Sequence, residues 1–269
     1  MVSAPQQPID LAWWQLAIAA ALILISGAIS IALKLKMEKK LAIASLRTIV
    51  QLGLVGYVLK WVFDLDSLLV LSGVFLVMIA TATNAAIRRP ERGYKGSARR
   101  AFVSLALTGI VITVTATRLI INVDPWYAPS YFIPLLGMVL GNGMNGISLC
   151  LDHLLESFSV RKKSVEMELS LGATAWESAR GPVSAAVKRG MIPIINSMMV
   201  VGIVSLPGMM TGQILAGADP LRAVKYQIVI MFMIAAGTAL GSMLIAILSY
   251  KALYNARHQL VTDRIKSRK

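Results

Sequence analysis

Acidic residues are scarce in this sequence: 13 Asp and Glu stand against 27 Lys and Arg, a formal net charge of +14. Cysteine occurs once, at Cys150, which excludes an intramolecular disulfide framework and any all-cysteine metal site built within one chain. Histidine occurs twice, at His153 and His258, so no two histidines stand at metal-ligand spacing. No Gly-x-x-x-x-Gly-Lys-[Ser/Thr] occurs, so the chain does not cradle ATP phosphates in the P-loop manner. Charged residues of both signs make up only 15% of the 269, against 57% hydrophobic residues, and mean hydropathy is +0.70. A soluble domain sits near roughly 45–50% apolar and 25% charged, so the excess apolar surface needs lipid to face. Each spanning helix uses about 20 apolar residues, which leaves room for about six to eight spans in a single domain, 1–269, with no separate soluble part.

Seven spans are predicted, at about 11–33, 41–63, 67–87, 101–121, 131–157, 191–216 and 226–250. The expected fold class is therefore all-α and polytopic. The basic residues test this map. Four lie between the first two spans (Lys34, Lys36, Lys39, Lys40) and six between the third and fourth (Arg88, Arg89, Arg92, Lys95, Arg99, Arg100). Six more lie between the fifth and sixth (Arg161, Lys162, Lys163, Arg180, Lys188, Arg189), and six follow the last (Lys251, Arg257, Arg264, Lys266, Arg268, Lys269). That is 22 of the 27; the alternate connections hold only Arg222 and Lys225, and Asp64 to Ser67 and Asn122 to Ser130 hold none. Such alternation predicts an outer N-terminus and a cytoplasmic C-terminus. A nucleic-acid surface would have no reason to alternate with span parity, so no nucleic-acid partner is expected. Met1 to Asp10 carries no Lys or Arg before the first apolar run, so that run reads as a retained span and not a cleavable signal. Trp126, Tyr127 and Tyr131 suit the headgroup boundary of an outer turn, and Leu206 to Gly212 reads as a break at the end of the sixth span.

The longest polar connection, 159–189, holds Val165-Glu-Met-Glu-Leu-Ser-Leu-Gly-Ala-Thr-Ala-Trp-Glu-Ser-Ala-Arg180, two short helical pieces hinged at Gly172. It is either an amphipathic connector or an element shaped to dock on a soluble motor. Glu166, followed six residues later by Gly172-Ala173, resembles the Glu-Ala-Ala…Gly loop of ABC-transporter permeases, departing from it at Met167 and Glu168, where alanines are usual. The runs Gly137 to Met144, Leu169 to Thr174, Ser205 to Met210, Ala218-Asp-Pro220, Lys225 to Ile228 and Arg257 to Leu260 extend the likeness over nearly the whole chain. They resemble the FetB-type family of ABC permeases. That resemblance implies a small permease working with a separate ATPase, linked in bacteria to iron export and in plant relatives to aluminium tolerance and UDP-glucose. It implies that Glu166, Glu168, Leu171, Gly172, Ala173 and Trp176 couple to the ATPase, that ATP and Mg are bound there with no cofactor on this chain, and that the permease is a homodimer in a bacterial inner membrane.

Within the membrane, Gly137 and Gly141 form a Gly-x-x-x-Gly surface that permits close helix approach. Met138, Asn142 and Asn145 follow on a neighbouring face, as pathway lining or as interhelical glue. Met209 and Met210 at the broken end are soft-cation ligands or gap-filling core. Asp152, His153 and Glu156 share a helix end at spacings that suit metal ligation or a solvated terminus. Arg47 and Gln51, one turn apart in the second span, belong to the pathway or to a structural pair, since a charge at that depth must face protein or water. The composite reading is a permease for a metal ion, iron first, with a nucleotide sugar or other small solute as alternative. An intramembrane metalloenzyme built on Asp152, His153 and Glu156 is the rival from another class, and a structural or receptor-like protein a third.

Overall fold

Lysines and arginines that are costly in hydrocarbon, and prolines and glycines that interrupt helices, divide the apolar chain into helical pieces. The computed structural model of the protein describes residues 12–65 and 67–267; residues 1–11, which hold the Met1 to Asp10 stretch and the first residue of the first expected span, and Asp66, Arg268 and Lys269 lie outside them. Among the described residues there are nine α-helices: α1 Trp13–Ala32, α2 Glu38–Leu65, α3 Leu68–Arg88, α4 Ser97–Val114, α5 Pro129–Val160, α6 Lys162–Ser170, α7 Ala175–Val200, α8 Gly208–Leu215 and α9 Pro220–Leu253. A π-helical turn, Thr115–Ile120, extends α4. Two short strands, β1 Arg92–Tyr94 and β2 Ile265–Ser267, pair antiparallel. This ribbon is an addition to the all-α expectation, and it joins segments 170 residues apart in sequence on the same end of the molecule, a pairing no local pattern encodes.

Six helices are long and apolar enough to cross a membrane: α1, α2, α3, α4 with its π-helical extension, α5 and α9. The sixth expected span, 191–216, is not one helix. Its first half is the end of α7, a turn follows at 201–207, and its last part is the short α8. Helix α7 ends at Val200, Gly202 takes φ +85°, and Pro207, lacking an N–H, starts a new helix instead of continuing the old one; Arg180, Lys188 and Arg189 keep the whole of α7 from being an apolar run. Packing nevertheless sends α7 across the bundle, antiparallel to α5. Ala175 and Ala179 join the core with Phe158 at the end of α5, Gly190 touches Gly146 at mid-helix, and Ile194 clusters with Leu135 and Val139 near the start of α5.

Helix α5 is the axis, packed by α9, α7, α3 and α4. Lipid tails are as apolar as leucine, so helices in a membrane associate through close packing and not through exclusion from water. The crossing of α5, α7 and α9 shows this. A Cβ on Gly190 would lie 2.7 Å from the Gly146 carbonyl oxygen and 2.9 Å from Ser242 Oγ, and a Cβ on Gly237 would lie 2.9 Å from Val139 Cγ1. By contrast α1 and α2 pack on each other and only lightly on the rest, and Val62 is the one buried residue of α2.

The basic connections gather at one end. Beside the β1–β2 ribbon, Tyr94 Oη and Ser249 Oγ are 2.8 Å apart, and Ser178 Oγ and Tyr254 Oη 3.1 Å apart. Burial pushes both tyrosine hydroxyls above their usual range, the hydrogen bonds to Ser249 and Ser178 partly offsetting it. At the opposite end Trp126 stacks edge-on with Tyr127 and Phe132, at 5.7 and 6.3 Å.

Candidate functional site

Two regions bring the expected residues together. The first is a cleft of about 720 Å³ between α2, α3 and α5. Arg47 and Gln51, one turn apart on α2, line it, and α3 contributes Met78, Thr81, Asn84 and Arg88, with Arg89 beside them. From α5 come Gly137, Leu140, Gly141 and Met144, a single face at i, i+3, i+4 and i+7. Gly141 has no atom within 4 Å of an added Cβ, and Gly137 only Met78 Cε at 3.5 Å. The expectation of a tight helix contact there is corrected: these glycines leave space, and the tight contacts of α5 are made at Gly146 with Gly190 and Thr238. Among the described residues three guanidiniums and no carboxylate line the cleft.

The stripe of Met138, Asn142 and Asn145 does not line this cleft. It is rotated onto the neighbouring face of α5, where Asn142 Nδ2 donates to its own Met138 carbonyl at 2.9 Å. Met138 packs, with Met198 and Met209, against the buried cluster of Leu135, Ile194 and Ile230. Met210 is partly buried on α8. Asn145 accepts from Arg89 Nη1 and lines a second cavity of about 310 Å³ with Asp152 and Pro193. Asp152 Oδ1 accepts the Glu91 N–H at 3.0 Å, tying the turn after α3 to α5. Among the described residues no three of His, Cys, Asp and Glu assemble into a metal-holding group. Asp152, His153 and Glu156 are thus not gathered into one, Asp152 being turned to the Glu91 N–H instead.

The second region is the elbow between α6 and α7. Gly172 has φ +94°, and the Gly172 and Ala173 amides donate to the Leu169 and Glu168 carbonyls at 3.1 Å each. This is a Schellman turn, which needs a left-handed residue where glycine is least strained. The expected hinge is therefore in place. Thr174 then caps α7: its Oγ1 accepts the Glu177 N–H at 3.3 Å, while Glu177 Oε2 accepts the Thr174 N–H at 2.7 Å. The Thr174 N–H and, secondarily, the Thr174 hydroxyl donating to Oε2 hold the Glu177 carboxyl below its usual range. Leu171 is 81% and Met167 60% exposed, making an apolar tip, while Trp176 lies against Tyr250 at 5.5 Å. Lys162 and Glu166 form an exposed pair at 3.8 Å.

The chain after α9 completes this region. His258 Nδ1 accepts the Ala175 N–H at 3.2 Å, and Asn255 to Asp263 line a groove of about 520 Å³ against Glu166, Leu169 and Ala173 of the elbow. Sequence reading missed this strap. It also missed the Thr174-x-x-Glu177 capping box, for which the signal was present in four residues.

The sequence profile of an uncharacterised protein family (UPF0014) matches residues 13–254. The UPF0014 membrane protein YjkA of Bacillus subtilis is 39% identical over 238 residues, covering 88% of this chain and 94% of that one. The probable iron export permease protein FetB of Escherichia coli is 35% identical over 255 residues, 94% of this chain and 96% of its own length. The UPF0014 membrane protein STAR2 of rice is 31% identical over 242 residues, 90% and 84% of the two chains. No solved structure matches. A match along almost the entire bundle, from α1 to the end of α9, places this polytopic α-helical membrane protein in the UPF0014 family, to which the chain belongs.

Proposed function

We propose that this chain is the membrane-spanning permease subunit of an ATP-driven ABC transporter, with ATP and Mg bound by a separate ATPase chain. The observation that carries the reading is the elbow at Gly172, two helices joined by a fixed turn that presents Leu171 and Met167 to solvent. An exposed apolar knob between helices suits a groove on a soluble motor, and α7 runs from it into the bundle beside α5 and α9. Movement of the ATPase would then be delivered along a stiff helix to the packed core, a two-state element biased by nucleotide. Two copies of the chain form the pathway in a bacterial inner membrane. The basic end faces the cytoplasm by the positive-inside rule, with the N-terminus outside.

The relative named a probable iron export permease supports metal export as the cargo class. The cleft adds a constraint. Arg47, Arg88 and Arg89 with no facing carboxylate repel a bare cation and attract an anion. Iron would accordingly enter as a complex with anionic ligands, and a phosphate-bearing solute such as a nucleotide sugar is the second reading that the same lining favours.

Proteoliposomes holding the permease with and without its ATPase test this. ATP-dependent movement of citrate-complexed iron or a nucleotide sugar is expected only with the ATPase, and should be lost in Arg47→Leu. Movement without the ATPase, or efficient carriage of uncomplexed iron by Arg47→Leu, would overturn the respective parts.

A further inference from the structure

Two adjoining cavities lie at the basic end between the first turn of α4 and the last turn of α9, on different faces from the cleft. The smaller, about 330 Å³, has Arg99, Arg100 and Lys251 above the apolar Val103 and Leu248. The larger, about 700 Å³, shares Arg100 and adds Lys95, Arg264 and Lys266, with Asp263 as its one acid.

Among the described residues these cations meet no carboxylate partner within salt-bridge distance. Among the described residues the one ion pair is Lys162 with Glu166, elsewhere on the surface. Arg100 is partly engaged, its Nη1 donating to the Gly96 carbonyl at 3.2 Å and its guanidinium lying 5.5 Å from the Tyr94 ring centre. Arg264 donates to the Ala252 carbonyl. Arg99 and Lys251 remain exposed and unpaired. The first turn of α4 holds no acid, yet a helix N-terminus is itself positive and is stabilised by anions. Two arginines at that point repel it. Converging like charges of this kind are stabilised by an anion from outside the chain.

The floor says which anion. Val103 is one turn beyond Arg99, and Leu248 one turn before Lys251, so both lie about 5 Å deeper along the bundle than the cations. Val103 is 47% exposed. Cationic groups above an apolar furrow match a phosphate headgroup above an acyl chain, and basic pockets between helices at the inner boundary recognise acidic lipid headgroups. We propose that this groove binds an anionic phospholipid, its phosphate between Arg99, Arg100 and Lys251 and its acyl chain over Val103 and Leu248.

Native mass spectrometry of the full chain, delipidated in detergent and then offered phosphatidylglycerol or phosphatidylcholine, tests this. Phosphatidylglycerol should be retained about tenfold better, and the double variant Arg99→Gln/Lys251→Gln should fall to the phosphatidylcholine level. A control, Lys162→Gln/Lys163→Gln, removes equal charge elsewhere on the basic end and should keep the preference. Equal retention of the two lipids, an unaffected double variant, or an equal loss in the control would overturn the site. Inorganic phosphate distinguishes the source: if it displaces the lipid at millimolar concentration and Val103→Gln leaves lipid retention unchanged, the groove takes a soluble anion and the lipid assignment fails. Melting curves of each variant without lipid confirm that the comparisons are made on folded protein.

Discussion

At the crossing of α5 with α7, a methyl group built on Gly190 would lie 2.7 Å from a backbone carbonyl oxygen, whereas one built on Gly141, also against α5's surroundings, would meet nothing within 4 Å. Both are helical glycines in the same bundle. In the first place glycine lets two backbones touch, which is how helices hold together where lipid removes the hydrophobic drive. In the second it keeps a wall of the cleft low. Gly172 is a third case: its surroundings are open, but φ +94° makes a side chain costly whatever the space. A short sequence motif cannot separate these uses. The neighbours and the backbone angle do.

Substitutions can break that comparison. The largest effect is expected at the crossing, where Gly190→Val forces backbone against backbone. Overpacking of that kind costs about 3 kcal/mol or more, so the detergent melting temperature should fall steeply, and an unchanged melt would show that α5 and α7 are not in contact there. Gly141→Leu should leave the melt nearly unchanged while filling the cleft, slowing transport about tenfold, an added barrier of about 1.4 kcal/mol. If transport is kept, the cleft is not on the path. Gly141→Ala serves as the mild control, expected to be neutral or to stabilise α5 by up to about 1 kcal/mol.

A smaller effect is expected at the elbow. Gly172→Val places a branched residue in the left-handed region at a cost of about 1–2 kcal/mol, and should reduce stimulated ATP hydrolysis while leaving the bundle folded. Gly172→Asn, which tolerates that region, should retain most of it. Wild-type stimulation by the valine variant would remove the turn from coupling. Smallest is the cap on α7. Because the folded Glu177 carboxyl is held below its usual range, its contribution is present at neutral pH and is lost as pH falls through that depressed value. The protection factors of the Thr174 and Glu177 amides, which the box pairs, should fall over this acid range in the wild type. In Thr174→Ala the Glu177 amide should already be poorly protected at neutral pH, and identical profiles would mean that the box does not cap the helix.

Much of the fold was readable because it follows from local chemistry. Five apolar runs became α1, α2, α3, α4 and α5 within a few residues, and the last became α9. The hinge at Gly172 was visible as a glycine between two helical patterns. The sixth predicted span was misread because α7 draws its place from contacts at Gly190 and Ile194, which make no apolar run. Arg47 and Gln51 stand out in the sequence because a charge with a polar partner in an apolar segment is conspicuous, and the structure puts both at the cleft. Arg88 and Arg89 read as inner-loop cations, and Met138, Asn142 and Asn145 lie, as read, on a face neighbouring Gly137 and Gly141, which is not the face that borders the cleft. A periodicity identifies which residues share a face, and it carries no information on what that face meets.

Composition, hydropathy and charge alternation alone determined that this is a polytopic α-helical membrane protein with its basic connections on one end, since insertion cost depends on residue type and position along the chain. Tertiary structure decided the rest: that α7 crosses the bundle despite its charges, that the tail after α9 straps the elbow through His258 and then pairs with the segment after α3 in the β1–β2 ribbon, and that Gly137 and Gly141 border a cleft. Each of these depends on atoms distant in sequence meeting within a few ångströms, and such meetings are set by packing, which no single stretch of sequence contains.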